Sequence, residues 1–287
     1  MPAIGIEVDE EDGGPVWDAP RGTLLVPGQL AWARLTVGAH CETWLCWSVD
    51  LWAPTVVKVV RPGWTRPRYT RAIGREAAAL RPVRHPAFPR LLADRCRSEL
   101  PHLVLEYLDG PALDQALDEA GPLAPGDTAR LGVGLLAAVR SLHSSGSAHL
   151  DLCPDNVLLV DRRVRLVDLG SSRPLGRVLR RGELVGTDEF AAPELLTARG
   201  GPVTAAMDVY GVAATLKAVV DPESGEVLSG VLDAMTDPNP AARPSVDEAL
   251  ARLVRHTGRG PARPWPRWAD SGLARDERRR RPANVPA

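Results

Sequence analysis

The residues from His149 to Leu159 read His-Leu-Asp-Leu-Cys-Pro-Asp-Asn-Val-Leu-Leu, and Asp168-Leu169-Gly170 follows shortly after. Between the two, Val160 to Val167 alternates around a charged turn and reads as a hairpin. A hairpin brings the loop before its first strand beside the loop after its second, so Asp151, Asn156 and Asp168 are expected to converge. Two carboxylates and an amide, all oxygen donors, suit a hard ion such as Mg²⁺ better than a softer metal. Taken in isolation, an HxD or a DxG is more often a pair of acidic turns than a site.

The elements that must hold these residues can be read along the chain. Residues 1–28 mix acids, glycines and prolines without periodicity and are expected to form a flexible acidic leader, with a short strand near Leu24-Leu25-Val26. From Leu30 to Val60 the chain is rich in Trp, Val, Leu and Thr, with turns near Gly38 and Asp50, which predicts three antiparallel strands. The third contains Lys58, and of the 35 basic residues only Lys58 and Lys217 are lysines. A lysine in an apolar strand either sits at a solvated edge or meets a buried anion, because an unpaired buried ammonium is expensive. A helix is predicted from about Tyr69 to Leu80 with Ile73, Ala77 and Leu80 on one stripe, and Glu76 lies beside that stripe. Leu103 to Gly110 reads as a strand running into a turn, and Asp127 to Ser144 as a long helix burying Leu131, Leu135, Leu136, Val139 and Leu142. Three further helices are predicted at 207–220, 225–235 and 246–254, and the Pro- and Arg-rich residues 257–287 are expected to be disordered.

The ordered run HLDLCPDN, then DLG, then Gly186 to Glu194 with its Ala-Pro-Glu, then Asp208-Val209-Tyr210-Gly211, resembles the protein kinases, whose loops read H-R-D-L-x-x-x-x-N and D-F-G. The resemblance covers roughly residues 29–255. It implies an α+β, two-lobed protein-kinase-like fold: an N-lobe over 29–108, with a small antiparallel sheet and one main helix, and a mostly helical C-lobe over 109–256. It implies a bacterial-type Ser/Thr protein kinase that moves the γ-phosphoryl group of ATP onto a protein hydroxyl. Asp151 would then orient the hydroxyl and accept its proton, Asn156 and Asp168 would hold Mg²⁺, and Lys58 would grip the α and β phosphates with Glu76 holding it in place. Backbone groups at Glu106 and Leu108 would meet the adenine edge. Arg243 would pair with Glu194.

Departures from the family pattern accompany the matches. At the three glycine positions of the phosphate-covering loop stand Thr36, Gly38 and Cys41, so one glycine remains. Cys153 replaces the usual lysine two residues after the catalytic aspartate, with Arg173 as a conceivable substitute, and Leu150 replaces the arginine that receives a phosphorylated activation loop. The chain after Asp208 is shorter than in typical members. Two alternatives follow from these departures: a pseudokinase that binds nucleotide or a partner without turnover, and a small-molecule phosphotransferase on the same fold.

Composition excludes several classes. At 287 residues and 44% hydrophobic the chain supports a sizeable core. No apolar run approaches the roughly 18 to 20 residues of a membrane span and no signal sequence opens the chain, so a cytoplasmic location without membrane partners is expected. Cys41, Cys46, Cys96 and Cys153 form no metal or redox motif and are expected to be free thiols. The net charge of -1 conceals an acidic start and an arginine-rich end. Such a short basic tail reads as solvated rather than as a nucleic-acid surface.

Overall fold

Alternation along residues 29–60 builds the centre of the first unit. In a computed structural model the described residues are 4–11, 13–64, 67–161, 163–181, 183, 185–197 and 200–258. They form two compact units, one from residues up to Pro82 together with Pro89–Tyr107, the other from Val83–Phe88 together with residues from Leu108 onward.

In the first unit, β1 (Gly5–Val8) and β2 (Pro15–Asp18) form a hairpin. Next come β3 (Leu24–Val26), β4 (Gln29–Val37), β5 (Cys41–Ser48), β6 (Ala53–Val60), helix α1 (Pro67–Leu80), β7 (Leu91–Arg95) and β8 (His102–Glu106). The sheet order is β3-β4-β5-β6-β8-β7, antiparallel throughout. Successive side chains of a strand face opposite ways, so Val57 and Val59 point to one face of β6 and Lys58 to the other. On the valine face they join a buried cluster with Trp44, Cys46, Val104, Ala19, Leu25 and Val26. Ile73, Ala77 and Leu80 of α1 are buried as the helical stripe predicted.

β3 stands where a short strand was expected, but the stretch 5–18 differs from the expected leader, because it contains β1 and β2. Strands of three or four residues are too short to show periodicity, and their stability comes from distant partners. The Trp17 indole N–H donates to the Val60 carbonyl at 2.7 Å, and the Trp17 amide donates to the buried Glu42 carboxylate at 2.9 Å.

The second unit contains α2 (Leu113–Ala120), α3 (Pro125–Ser144), β9 (Ser147–Ala148), β10 (Val157–Val160), β11 (Arg163–Leu166), β12 (Arg173–Pro174), β13 (Val178–Leu179), α4 (Pro193–Leu196), β14 (Gly201–Pro202), α5 (Ala205–Val219), α6 (Glu226–Met235) and α7 (Val246–Val254). All five predicted apolar residues of α3 are fully buried, and α3 packs on α5 and α7. Helix α7 starts with a capping box, in which the Ser245 hydroxyl accepts from the Glu248 amide and the Glu248 carboxylate accepts from the Ser245 amide. Among the described residues no helix is long and apolar enough to cross a membrane. Most of 257–287, expected as a disordered tail, lies outside the described residues.

Candidate active site

The β10–β11 hairpin does what its position between the two acidic loops predicted. Val157 pairs with Leu166, and the Val167 amide donates to the Asn156 carbonyl at 3.0 Å, which sets Asn156 beside the residue preceding Asp168. The Asn156 side-chain N–H₂ donates to the Asp151 carbonyl at 2.9 Å, so the amide oxygen is the atom left to act as a ligand. Asp168 takes a left-handed backbone (φ 57°), and its carboxylate accepts from the Gly170 amide at 3.0 Å. The turn that follows brings the Ser171 hydroxyl within 3.4 Å of the Asp151 carboxylate. Asp151, Asn156 and Asp168 therefore share one neighbourhood.

Among the described residues no group of three His, Cys, Asp or Glu could cage a metal on its own. One carboxylate and one amide oxygen suit Mg²⁺, which keeps waters and shares its coordination with substrate phosphates rather than filling an all-protein cage.

Asp151 is held from two directions. Its carboxylate accepts from the Thr187 hydroxyl at 2.8 Å. Its loop is fastened by Asp208 at the start of α5, which accepts from the amides of His149 and Leu150, each at 2.8 Å, and bonds the His143 ring at 2.7 Å. Burial alone would raise the Asp208 carboxyl, but the His143 and backbone hydrogen bonds outweigh it and hold the carboxyl below its ordinary value. Leu150 is thereby kept at φ 68°, a left-handed conformation unfavourable for a leucine. The Thr215 hydroxyl adds a bond to the Leu152 carbonyl at 3.0 Å. Gly186 (φ 91°) passes so close that a Cβ there would lie 2.5 Å from the Leu150 carbonyl. The His149 ring is fully buried with neither nitrogen hydrogen-bonded, which makes it a packing side chain.

The Arg243 guanidinium forks onto Glu194 at 2.7 and 2.8 Å and also donates to the carbonyls of Ala206 and Asp237. Cys153 is buried, and burial, followed by the charge of Asp151, pushes its thiol up to about 11. It stays neutral and replaces no cation. Arg173 is committed within its own segment, donating to Glu183 and to the carbonyls of Ser171 and Ser172. Glu183 also meets Arg177 and the Arg180 amide. The Thr187 and Asp208 contacts were not read from sequence, since they join residues 36 to 65 positions apart, too far for spacing to reveal.

In the first unit, Lys58 lies on a central strand, paired with Thr43 on one side and Leu103 on the other, which removes the solvated-edge reading. Its ammonium meets the buried Glu76 carboxylate at 2.8 Å. Gly38 closes the β4–β5 turn, donating to the Cys41 carbonyl at 2.8 Å, while Thr36 and Cys41 sit inside paired strands. The Glu106 amide donates to the Arg90 carbonyl at 2.9 Å. In the second unit the Leu108 carbonyl accepts from Gly110 at 3.2 Å.

The family model "Protein kinase domain" matches residues 34–225. A probable serine/threonine-protein kinase, PkwA of Thermomonospora curvata, is 28% identical over 71% of this chain and 31% of its own. The serine/threonine-protein kinase PkaA of Streptomyces coelicolor is 37% identical over 51% of this chain and 28% of its own. PknB of Mycobacterium leprae is 27% identical over 66% and 32%. The chain thus spans about a third of the length of these relatives. A crystal structure of a kinase domain superposes with a TM-score of 0.69 at 18% identity, covering 83% of this chain and 97% of that one, a likeness of fold. Because the matched stretch takes in Lys58, Glu76 and every motif from Asp151 to Asp208, the chain belongs to the protein kinase domain family.

Proposed function

We propose that the chain is an ATP-dependent Ser/Thr protein kinase that transfers the γ-phosphoryl group to a hydroxyl of a protein substrate. The observation that supports this reading most is that the polar residues for phosphate, metal and hydroxyl are present and placed together within each unit: an ammonium paired with a carboxylate at 2.8 Å in one unit, and Asp151, Asn156 and Asp168 gathered in the other. Phosphoryl transfer depends chiefly on positioning and on offsetting negative charge. In this reading Asp151 accepts the hydroxyl proton at its carboxylate, and Thr187 fixes the direction in which that carboxylate points. Lys58, kept in one rotamer by Glu76, takes the α and β phosphates, the turn at Gly38 covers them, and backbone groups at Glu106 and Leu108 take the adenine edge. Asn156 and Asp168 would hold Mg²⁺, which supplies charge neutralisation on the phosphates when bound. A cytoplasmic location belongs to the same reading and is supported by the four free thiols.

With labelled ATP and a generic protein acceptor, Asp151→Asn is expected to lose on the order of 10³-fold in transfer while keeping ATP affinity within about twofold. Equal labelling by wild type and variant defeats the proposal. Tight nucleotide binding without any transfer by the wild type would instead favour a pseudokinase, and label found only on added metabolites a small-molecule phosphotransferase.

Activity in this reading needs no phosphate on the activation segment, since Leu150 offers it no partner and Glu183 already gathers Arg173 and Arg177. Phosphatase-treated wild type is expected to keep its rate, whereas Glu183→Gln, weakening one charged anchor, loses about tenfold. The measurement is initial rate on the same protein acceptor. A large loss after phosphatase treatment contradicts it.

A further inference from the structure

Only one of three glycines remains in the turn between β4 and β5, yet that turn is tied down by hydrogen bonds to Arg61. Arg61, the residue after β6 and three beyond Lys58, is 1% exposed and ranks among the largest fully buried side chains. A buried guanidinium requires acceptors. Those it finds include carbonyls from two separate places: Pro15 of β2 at 3.0 Å from Nε, and Gly38 of the turn at 3.3 Å from one terminal nitrogen. The Arg61 amide donates to a third carbonyl, that of His40, at 3.0 Å. Residues 38 and 40 of the turn are thereby tied to one arginine, and that arginine to the N-terminal hairpin.

The hairpin end of this linkage is itself fixed. Glu42, fully buried, accepts from the Trp17 amide at 2.9 Å, from Arg34 at 3.1 Å and from the Trp44 indole at 3.0 Å, while the Trp17 indole holds Val60. Arg61 is therefore a strut between a rigid support and a turn whose sequence no longer supplies the usual glycines.

A trans peptide sets its N–H opposite its C=O. Fixing the Gly38 carbonyl on Arg61 turns the Ala39 N–H the other way, out from the buried guanidinium. Backbone N–H groups presented in this fashion are the donors that bind phosphate oxygens. We propose that Arg61, braced by the β1–β2 hairpin, is a positioning residue for nucleotide phosphates: it presets the peptide planes of residues 38–41 so that the turn receives phosphate without first having to close. The proposal rests on the kinase reading above and adds to it a part for residues 5–18, which the family pattern does not include.

The test separates phosphate recognition from general stability. Affinities of the full chain for ATP and for adenosine are measured for wild type, Arg61→Gln and Arg61→Lys, with melting temperature as a folding control. Arg61→Gln is expected to weaken ATP about tenfold, the effect of losing a charge-assisted hydrogen bond, and to leave adenosine within about twofold. Arg61→Lys, which keeps the charge and one donor direction, is expected to fall between. Should Arg61→Gln fail to fold, Trp17→Phe keeps an aromatic ring but removes the indole N–H that ties the hairpin to Val60, and a loss for ATP of about threefold with adenosine unchanged is the expected result. Parallel loss of both ligands, or no loss of either, overturns the strut alone. A wild type that binds no ATP overturns the kinase reading and the strut with it.

Discussion

Replacing Asp208 by asparagine is expected to release the loop that carries Asp151, with a loss in kcat on the order of 10² or more and little change in the KM for ATP. Asp208 is fully buried and takes three hydrogen bonds, from the amides of His149 and Leu150 and from the His143 ring. Asparagine has the same shape but turns one acceptor oxygen into a donor. At least one buried donor then faces another donor, at about 1–3 kcal/mol for each group left unsatisfied. Leu150 is the residue that would move, because its left-handed φ of 68° costs about 1–2 kcal/mol and is maintained by the bond its amide makes. Once it relaxes, Asp151 is displaced from Thr187. Together with a lost buried charge, the destabilisation should reach about 3–5 kcal/mol. Melting temperature and steady-state kinetics on the purified variant check both parts. Wild-type kcat in Asp208→Asn would show that the loop does not depend on this carboxylate.

The same residue sets a pH dependence. Because the folded state holds the Asp208 carboxyl below its ordinary value of 3.8, the group's contribution to stability is present above that value. It is lost as pH falls through the lowered folded value. The acid side of the stability profile should therefore be shallower in Asp208→Asn than in wild type.

Deleting residues 1–26 is the second large expected effect, and it falls on stability. Composition suggested a flexible acidic leader here. Instead Ala19, Leu25 and Val26 are buried against Trp44, Cys46, Val57 and Val59, with Ile4 and Trp17 packed alongside. Removing them exposes the sheet face opposite Lys58, and at about 1.5–3 kcal/mol for each large apolar side chain the loss should be near 5 kcal/mol. That is a large share of the roughly 5–15 kcal/mol that stabilises a typical protein. The truncated chain is expected to melt about 10–20 °C lower or to aggregate. A truncated protein with an unchanged melting curve would mean that the hairpin is packed on the sheet without supporting it.

Helix α3 and the β10–β11 hairpin were legible in the sequence because their signals are local and long enough to count: a leucine stripe over twenty residues in one case, an apolar run and an alternating Arg-Val-Arg-Leu segment about a charged turn in the other. The meeting of Asp151, Asn156 and Asp168 followed from that hairpin without further information, since its register decides which loops become neighbours. Lys58 and Glu76 were legible differently. A lone lysine in an apolar strand, in a chain that uses arginine elsewhere, narrows the choices to an edge or a partner, and the partner was named by family resemblance.

What spacing could not reveal were bonds between residues far apart in sequence. The Asp208 carboxylate reaches the His149 and Leu150 amides, Thr187 reaches Asp151, and Arg61 joins Pro15 to Gly38. A side chain's identity says what it can donate or accept, and periodicity says which face it occupies. Which carbonyl or carboxylate stands opposite it is decided only when separate elements pack, because burial makes each polar group find an acceptor wherever the fold has put one. The amino-acid order therefore determined the kinds of chemistry available to this chain, and the tertiary structure decided what holds those groups still.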